Sequence, residues 1–266
     1  MSEDIRRSWW TLGALAAQFY ASGPTAEAVA ADSWFAALSR TNNAELNVCG
    51  IGPGATASAT ADLIRRLGPD QPAIVFTSEG LSPECGGLLL DAGFEVTEVA
   101  EPLMRCVRPP VPAPTDFVVA RTRNDSDIAA AVALISEAHS VDFGLLDVSL
   151  AEAARSDLAQ VWLAWDGDQP VSTVCLCTTE VSIGVMEMMT PPRHQGRGAG
   201  RGLLTAALAA TWSPATVDAV LLSTPAGRRL YESIGFEAVD ESVTFYRGLE
   251  DSVLEAIGQP PGGQRP

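Results

Sequence analysis

The segment Thr190–Leu204 reads TPPRHQGRGAGRGLL and places four glycines in the seven positions 196–202. Because glycine has no Cβ, such a run allows close backbone approach and positive φ angles. An apolar stretch precedes the run and a helix-forming stretch follows it, so the first helical amides have no intrahelical acceptors. Those amides also lie at the positive end of the helix dipole. The segment therefore predicts an anion site built from backbone.

The charge of this segment is opposite to that of the whole chain. Arg193, Arg197 and Arg201 lie in it with no acidic residue among them, although the formal net charge is −16. This local reversal favours a polyphosphate ligand with an extra phosphate nearby. The sequence contains no lysine, which excludes a Walker phosphate loop. The acidic composition argues against nucleic acid and anionic membranes as partners.

The cysteine and histidine content predicts neither disulfides nor a metal site. Five scattered cysteines do not form a disulfide framework, which is typical of a protein of the reducing cytoplasm. Cys175 and Cys177 differ by two positions and share one face of an apolar strand, where core packing is their expected role. With only two histidines, we expect no metal. No secretory signal or membrane-spanning run is evident, so the expected location is cytoplasmic.

A proline-rich stretch divides the chain. Residues 107–115 read VRPPVPAPT, which is typical of an extended linker. We therefore predict an N-terminal domain over 1–108, a linker over 109–115, a second domain over 116–250 and a flexible tail over 251–266.

The second domain predicts strands and helices in the order β-α-α-β-β-β-α-β-α-β-β, a mixed sheet with helices on both faces. Its first helix begins at the N-cap Ser126, and a second helix covers 149–158. The last helix has Thr224 as N-cap and Gly235 just past its end. Two short strands, over 236–239 and 242–246, are expected to close the domain.

Two motifs in this order resemble the GNAT superfamily of N-acetyltransferases. The first is Gln195-x-x-Gly198-x-Gly200, which is similar to the coenzyme A loop of that superfamily. The second is Leu230-Tyr231-x-x-x-Gly235-Phe236, which resembles a later helix of the fold. The resemblance covers about residues 116–247 and implies an α/β mixed-sheet GNAT fold that binds acetyl-CoA.

The resemblance also implies roles for individual residues. Tyr231 matches the general acid that protonates the departing thiolate. Backbone groups of the strand before the loop would contact the pantetheine arm, and amides of the loop would hold the pyrophosphate. Thr224 stands where many members carry asparagine, so capping is its firmer role. The implied cofactor-binding set is Met188, Met189, Thr190, Gln195, Gly196, Arg197, Gly198, Ala199, Gly200, Arg201 and Thr224.

The sequence does not identify the general base. Relatives often carry a glutamate eleven residues before the glutamine, and here that position is Gly184. Glu187 lies on the same strand, but simple alternation places it on the opposite face. His139, in the loop between the first two helices, would face the acceptor channel. The candidates are therefore Glu187, His139 or a chain of waters.

The N-terminal domain carries a second glycine-rich turn, Gly50-Ile-Gly-Pro-Gly-Ala55, which fits a dinucleotide fingerprint. An alternative explains it better. Residues 45–108 parallel the second half of the second domain, with Leu89 where Tyr231 stands and no arginine in the turn. This predicts a degenerate GNAT-like copy, against which the residues before 45 pack as helices.

These observations predict an N-acetyltransferase that moves an acetyl group from acetyl-CoA to a primary amine of a small-molecule acceptor. The protein is expected to be a monomer or homodimer. A non-catalytic acyl-CoA sensor or scaffold is the alternative from a different class. An O-acyltransferase or a thioesterase built on the same loop is a further one.

Overall fold

The computed structural model describes residues 3–21, 25–139, 150–151, 154–155 and 159–249. The described chain divides into two compact units. The first holds the described residues of Met1–Met104, Leu222–Arg228 and Ala238–Pro266, and the second those of Arg105–Leu221 and Arg229–Glu237. Most of the helix expected over 149–158, and all of the tail over 251–266, fall outside the described residues. Among the described helices, none is both long and apolar enough to cross a bilayer.

The first unit is built on a mixed sheet. It contains α1 (Glu3–Tyr20), β1 (Glu27–Ala30), β2 (Trp34–Leu38), β3 (Asn47–Ile51), α2 (Ala57–Leu67), β4 (Ala73–Thr77), α3 (Pro83–Asp91) and most of β5 (Glu95–Cys106) and β11 (Glu237–Arg247). Its strands follow the order β1-β2-β3-β4-β11-β5, with β3 and β4 parallel. Leu63 of α2 and Leu89 of α3 pack with Val75 and Phe245 in one buried cluster on the sheet.

The N-terminal segment differs from its prediction. Helices were expected before residue 45, but α1 is followed by strands β1 and β2. All five residues of β2 are buried, so the strand shows no polar alternation, and such a short apolar run does not reveal its secondary structure. The Phe35 ring fits against Gly50, where a Cβ would lie 2.1 Å from a ring carbon.

The internal repeat is confirmed by element order. The series β3-α2-β4-α3-β5 of residues 47–106 matches a second series over residues 182–247, with a parallel strand pair in each. Both series turn from helix to strand through a glycine with positive φ, Gly93 at 82° and Gly235 at 100°. A side chain at either position would be strained, which explains why the sequence repeats glycine there.

The last strand differs from its prediction. Two short closing strands were expected, but β11 is one continuous strand that lies between β4 and β5 in the first unit. Val243 to Arg247 pair antiparallel with Thr77 to Ala73. The Arg247 guanidinium donates to the carbonyl oxygens of Gly68, Gln71 and Ala92, which fastens the strand's end. Pairing partner, rather than chain order, decides the unit to which these residues belong.

The second unit is also a mixed sheet. It contains β6 (Val118–Thr122), α4 (Asp125–His139), β7 (Ala159–Asp166), β8 (Gln169–Thr178), β9 (Ser182–Met189), α5 (Ala199–Thr211), most of β10 (Asp218–Leu222) and the second half of α6 (Pro225–Glu232). Its strands follow the order β10-β9-β8-β7-β6, with only the β10–β9 pair parallel. The predicted α/β architecture is confirmed.

Side-chain contacts place α4 and α5 on opposite faces of this sheet. Thr122 of β6 donates to Asp127 of α4, whereas Gln160 of β7 accepts from Thr211 of α5. Thr122 is paired with Val161, the neighbour of Gln160, so the two contacts lie on opposite faces. One detail differs from the prediction: Asn124, rather than Ser126, caps α4 by accepting from the Asp127 amide.

Candidate functional site

Strands β9 and β10 lie side by side at one end and part at the other. Their parallel pairing runs from Ser182–Asp218 to Gly184–Val220. Beyond Gly184, β9 keeps β8 on one side, as the pair Met189–Thr173 shows. Its other edge, toward β10, has no pairing in this described stretch. The backbone of Met188–Thr190 therefore has the free edge to which an extended ligand can add as a strand.

A β-bulge interrupts β9 at this free segment. Cys175 pairs with Met186 and Thr173 pairs with Met189, so three steps on β9 match two on β8. Glu187 lies inside the bulge with φ of 46°, a left-handed conformation that is uncommon outside glycine. Such strain concentrates at functional sites, where the surroundings hold the residue in place.

The bulge removes the regular alternation on which the predicted face of Glu187 was based. Burial raises the pKa of the Cys177 thiol to about 12, and the Glu187 charge contributes to the shift. The same charge, after burial and Cys177, helps to raise the pKa of Cys175. Cys177 is the pairing partner of Gly184, so these thiols lie on the face of Gly184. The extra residue in the strand breaks the alternation, so the spacing between Gly184 and Glu187 no longer assigns them to opposite faces.

Tyr231 of α6 lies in the same environment. Its side chain is buried, and its ring meets Phe236 edge to face, with 5.9 Å between centroids. Burial raises the pKa of the phenol, and the Glu187 carboxylate raises it further. Both effects favour the protonated phenol, which is the form that a proton donor requires.

The strands β9 and β10 part beyond Gly184 and Val220 and leave a gap between them. The glycine-rich loop follows β9 at the open end of this gap. Gly196 and Gly198 have φ of 75° and 81°, and Gly198 caps α5 without a side chain. The first amide of this stretch to bond within the helix is that of Gly202, which donates to Gly198. The three preceding amides, of residues 199–201, are the predicted anion donors. The Gln195 side chain braces the loop by donating to the Thr190 carbonyl oxygen at 2.8 Å.

Gly200 places the start of α5 close to both β9 and α6. A Cβ at this position would lie 2.9 Å from Thr190 Oγ1, 3.1 Å from Met188 Cε and 3.8 Å from Leu230 Cδ2. The missing side chain therefore brings the donor amides to the free edge of β9 and to the helix that carries Tyr231.

The GNAT resemblance implies acetyl-CoA as the ligand, and replacing Gly200 with alanine is expected to weaken its binding by about tenfold, because the loop must shift away from β9 to relieve the contact. Calorimetry measures the affinity. Gly87→Ala is the matched control, since a Cβ there meets no atom within 4 Å. Equal affinities for the two variants would show that close approach at Gly200 is not required.

Sequence comparison places this geometry in a family. Residues 157–238 match the model of a family described as the acetyltransferase (GNAT) domain. Over these residues the chain is similar to that family. Among curated proteins, none matches the chain by sequence.

Solved structures share the GNAT fold across both units. The GCN5-related N-acetyltransferase from Kribbella flavida aligns over 88% of this chain and 95% of its own, with 17% identity and a TM-score of 0.64. A relative of the same description from Sphaerobacter thermophilus aligns over 81% and 76%, with 14% identity and a TM-score of 0.55. A tandem GNAT protein from the clavulanic acid biosynthesis pathway aligns over 92% and 95%, with 12% identity and a TM-score of 0.55.

The first unit explains why its own glycine turn differs from the GNAT loop. Gly54 has φ of 82°, as Gly198 has 81°, but the Gly52 amide already donates to Ser33 and Trp9 lies against the turn. Leu89 is fully buried at the position that matches Tyr231. Strands β3 and β4 are flanked by antiparallel neighbours, so this is not the parallel sheet of a dinucleotide-binding domain.

The three loop arginines point in different directions. Arg193 forms an ion pair with Glu137 of α4, and Arg197 pairs with Asp166 at 2.7 Å. Arg197 also lies over the Phe117 ring, 5.2 Å from its centroid. Arg201 instead donates to the Ser233 carbonyl oxygen at 3.3 Å, just past α6. The arginines therefore do not form the shared cluster that their spacing suggested.

The other residues that could belong to the site are Thr224, His139 and His194, and the structure describes them to different extents. Thr224 Oγ1 accepts from the Gly227 amide at 3.2 Å, which confirms its predicted capping role. His139 is the last residue of α4, and its side chain lies outside the described part of the structure. No sequence pattern indicated a role for His194, which is buried in the loop and accepts a hydrogen bond from Arg193. Loss of hydration and the charges of Arg193 and Arg197 lower the pKa of His194. Among the described residues, no group of His, Cys, Asp and Glu could hold a metal ion.

Proposed function

We propose that the protein is an N-acetyltransferase that transfers an acetyl group from acetyl-CoA to a primary amine of a small-molecule acceptor. One observation carries the proposal: the start of α5 lies close both to the end of β9 and to α6, the helix that carries the buried Tyr231 and its neighbour Leu230. A proton donor and a proton acceptor thus adjoin the gap between the strands. Amine acylation by a thioester requires both groups.

The residues present fit acetyl-CoA. The amides of residues 199–201 suit a diphosphate, and the free edge of β9 suits the amide-containing pantetheine arm. Gly200 leaves room for a phosphate to approach, because a Cβ there would crowd Thr190 and Met188. When bound, acetyl-CoA supplies an activated acyl group and a thiolate leaving group whose conjugate acid has a pKa of about 8.5.

Tyr231 is the proton donor in this proposal. Its raised pKa keeps the phenolic oxygen protonated at neutral pH, so the proton is available when negative charge develops on a sulfur atom nearby. Phe236 fixes the ring orientation from one side. The apolar surroundings also exclude water, which would otherwise compete with the amine.

Glu187 is the proton acceptor in this proposal, with His139 and a chain of waters as the alternatives. The relatives' glutamate position is Gly184, and Glu187 lies three residues further along β9, within the bulge. The side chain is half-buried, so a proton taken from the amine can pass on to solvent. The strained φ of Glu187 indicates that the strand maintains this placement at a cost in stability.

The basic test is binding followed by turnover. Calorimetric titration with acetyl-CoA should show saturable binding, and thiol release should then depend on an added amine from a panel. No binding at high micromolar acetyl-CoA would contradict the proposal. Mass spectrometry of the product separates N-acylation from O-acylation, and thiol release without an amine would indicate a thioesterase.

Replacing Glu187 with glutamine is expected to lower kcat for amine acetylation by about 100-fold, because glutamine cannot accept the proton. Acetyl-CoA affinity should stay within about twofold of the original. Glu180→Gln, an exposed residue before the same strand, is the matched control. If the two variants turn over alike, His139 or a water chain takes the role.

A non-catalytic acyl-CoA sensor is the second candidate. Gly184 favours it, since no carboxylate stands at the usual position of the base. A sensor would bind acetyl-CoA as tightly as the proposed enzyme, yet would release no thiol with any amine of the panel.

We also propose where the protein acts and which partners it lacks. The five cysteines are free and buried, which is compatible with a reducing cytoplasm. The formal net charge of −16 disfavours nucleic acid and anionic membranes as partners. Light scattering tests for a monomer or homodimer.

A further inference from the structure

We propose that Arg201 binds the 3′-phosphate of coenzyme A and makes the protein prefer coenzyme A over its dephospho form. This inference rests on the proposed function, because it assigns a residue to the same cofactor. The three loop arginines have different partners.

Two of the loop arginines are already neutralised by carboxylates. Arg193 is paired with Glu137, and Arg197 with Asp166. A ligand phosphate near either guanidinium would also approach the carboxylate beside it, and the repulsion would offset the attraction. These two arginines therefore serve to fasten the loop to α4 and to the β7–β8 hairpin.

Arg201 differs in that its contact is neutral. Among the described residues it has no carboxylate partner, and its guanidinium donates to the Ser233 carbonyl oxygen over 3.3 Å. The contact is long and exposed, so a phosphate can replace it at little cost. A charge-assisted bond from arginine to phosphate is roughly twice as strong as a neutral one.

The position of Arg201 indicates which phosphate it contacts. Its own amide belongs to the first turn of α5, where the diphosphate fits, while its side chain crosses to the end of α6. Tyr231, the proposed proton donor to the departing thiolate, is buried on α6, the helix that Gly200 approaches at Leu230. The acyl group thus lies inward, the diphosphate lies at the loop, and the phosphorylated ribose extends outward along the exposed side chain of Arg201.

The experiment compares two ligands and two variants. Calorimetry measures the affinities of coenzyme A and dephospho-coenzyme A for the unaltered protein, for Arg201→Ala and for Arg197→Ala. Arg197→Ala is the matched control, because it removes an equal charge from the same loop. Thermal unfolding verifies that each variant is folded, and Arg201→Gln, which also removes the charge, replaces Arg201→Ala if the latter is not.

The expected result is selective. The unaltered protein should prefer coenzyme A by about tenfold, and Arg201→Ala should lose most of that preference by weakening coenzyme A binding alone. Arg197→Ala should change both affinities by the same factor and keep the preference.

Other outcomes overturn the inference. Equal losses for both ligands in Arg201→Ala would assign the residue to the diphosphate, and no loss would remove it from the site. If the unaltered protein binds both ligands equally, the 3′-phosphate is not recognised. If it binds neither, the proposed function itself fails.

Discussion

Tyr231→Phe is expected to lower kcat for amine acetylation by about 100-fold, while acetyl-CoA affinity stays nearly unchanged. The phenol is buried and its pKa is raised by burial and by Glu187, so it holds its proton at neutral pH. Phenylalanine keeps the ring and its contact with Phe236 but removes the proton. General acid catalysis typically contributes roughly 10² to 10⁴ in rate. Steady-state thiol release measures kcat, and calorimetry measures the affinity.

The control for this variant is Tyr246→Phe in the first unit. Tyr246 is buried to the same extent as Tyr231, so the substitution removes a comparable hydroxyl from a position outside the proposed site. Its turnover should match that of the unaltered protein. A Tyr231→Phe enzyme with full kcat would remove the phenol as proton donor and leave the departing thiolate to be protonated by solvent.

The features that the sequence predicted well depend on local chemistry. Four glycines before a helix-forming stretch require a loop and a helix start, and α5 begins at Ala199. A threonine and a proline before Ala226 predict the start of α6, and Gly235 has the positive φ that ends it. The repeat was evident for the same reason, since both copies use glycine at the same turn.

The orientation of Glu187 could not be predicted because it depends on an irregularity. Alternation along a strand assumes one residue per step, and the bulge at Glu187 adds one. Neither Met186 nor Glu187 is a residue that favours a positive φ, so the sequence carries no signal for it. The neighbouring strand β8 keeps regular pairing with β7 through most of its length, and the mismatch appears only when β8 and β9 are aligned.

The other differences between prediction and structure arise from contacts between residues that are far apart in the sequence. Strand β11 pairs with β4, although more than 150 residues separate them in sequence, and no local pattern indicates that choice. Likewise, Arg193 and Arg197 looked like free cations in a loop without acids. Their carboxylate partners, Glu137 and Asp166, come from other parts of the chain. Charge patterns within a segment show which residues can bind an anion, but the fold decides which of them remain available.

Asp218→Ala is expected to destabilise the protein by about 3–5 kcal/mol, the usual cost of breaking a buried ion pair. Asp218 is fully buried at the start of β10, and its carboxylate accepts from Arg105 Nε at 2.8 Å and Ser182 Oγ at 2.6 Å. Alanine leaves the Arg105 charge, whose side chain is only 11% exposed, without this partner. Urea unfolding followed by tryptophan fluorescence measures the change in free energy. Asp166→Ala, which breaks the exposed pair with Arg197, is the control and should cost less than about 1 kcal/mol.

The double variant Arg105→Met with Asp218→Leu distinguishes two causes of the lost stability. One is the loss of the attraction between Arg105 and Asp218, and the other is the burial of the Arg105 charge without the Asp218 carboxylate. If the uncompensated charge of Arg105 causes most of the loss, removing both charges should restore most of the stability. A double variant as unstable as Asp218→Ala would instead assign the loss to the Ser182 hydrogen bond or to packing. Because Asp218 and Ser182 begin the short parallel pairing that ends at Gly184 and Val220, loosening this end of the pairing changes where β9 and β10 part. The single variant Asp218→Ala should therefore also bind acetyl-CoA more weakly. In the unfolding measurement, the Asp166→Ala control should retain its stability.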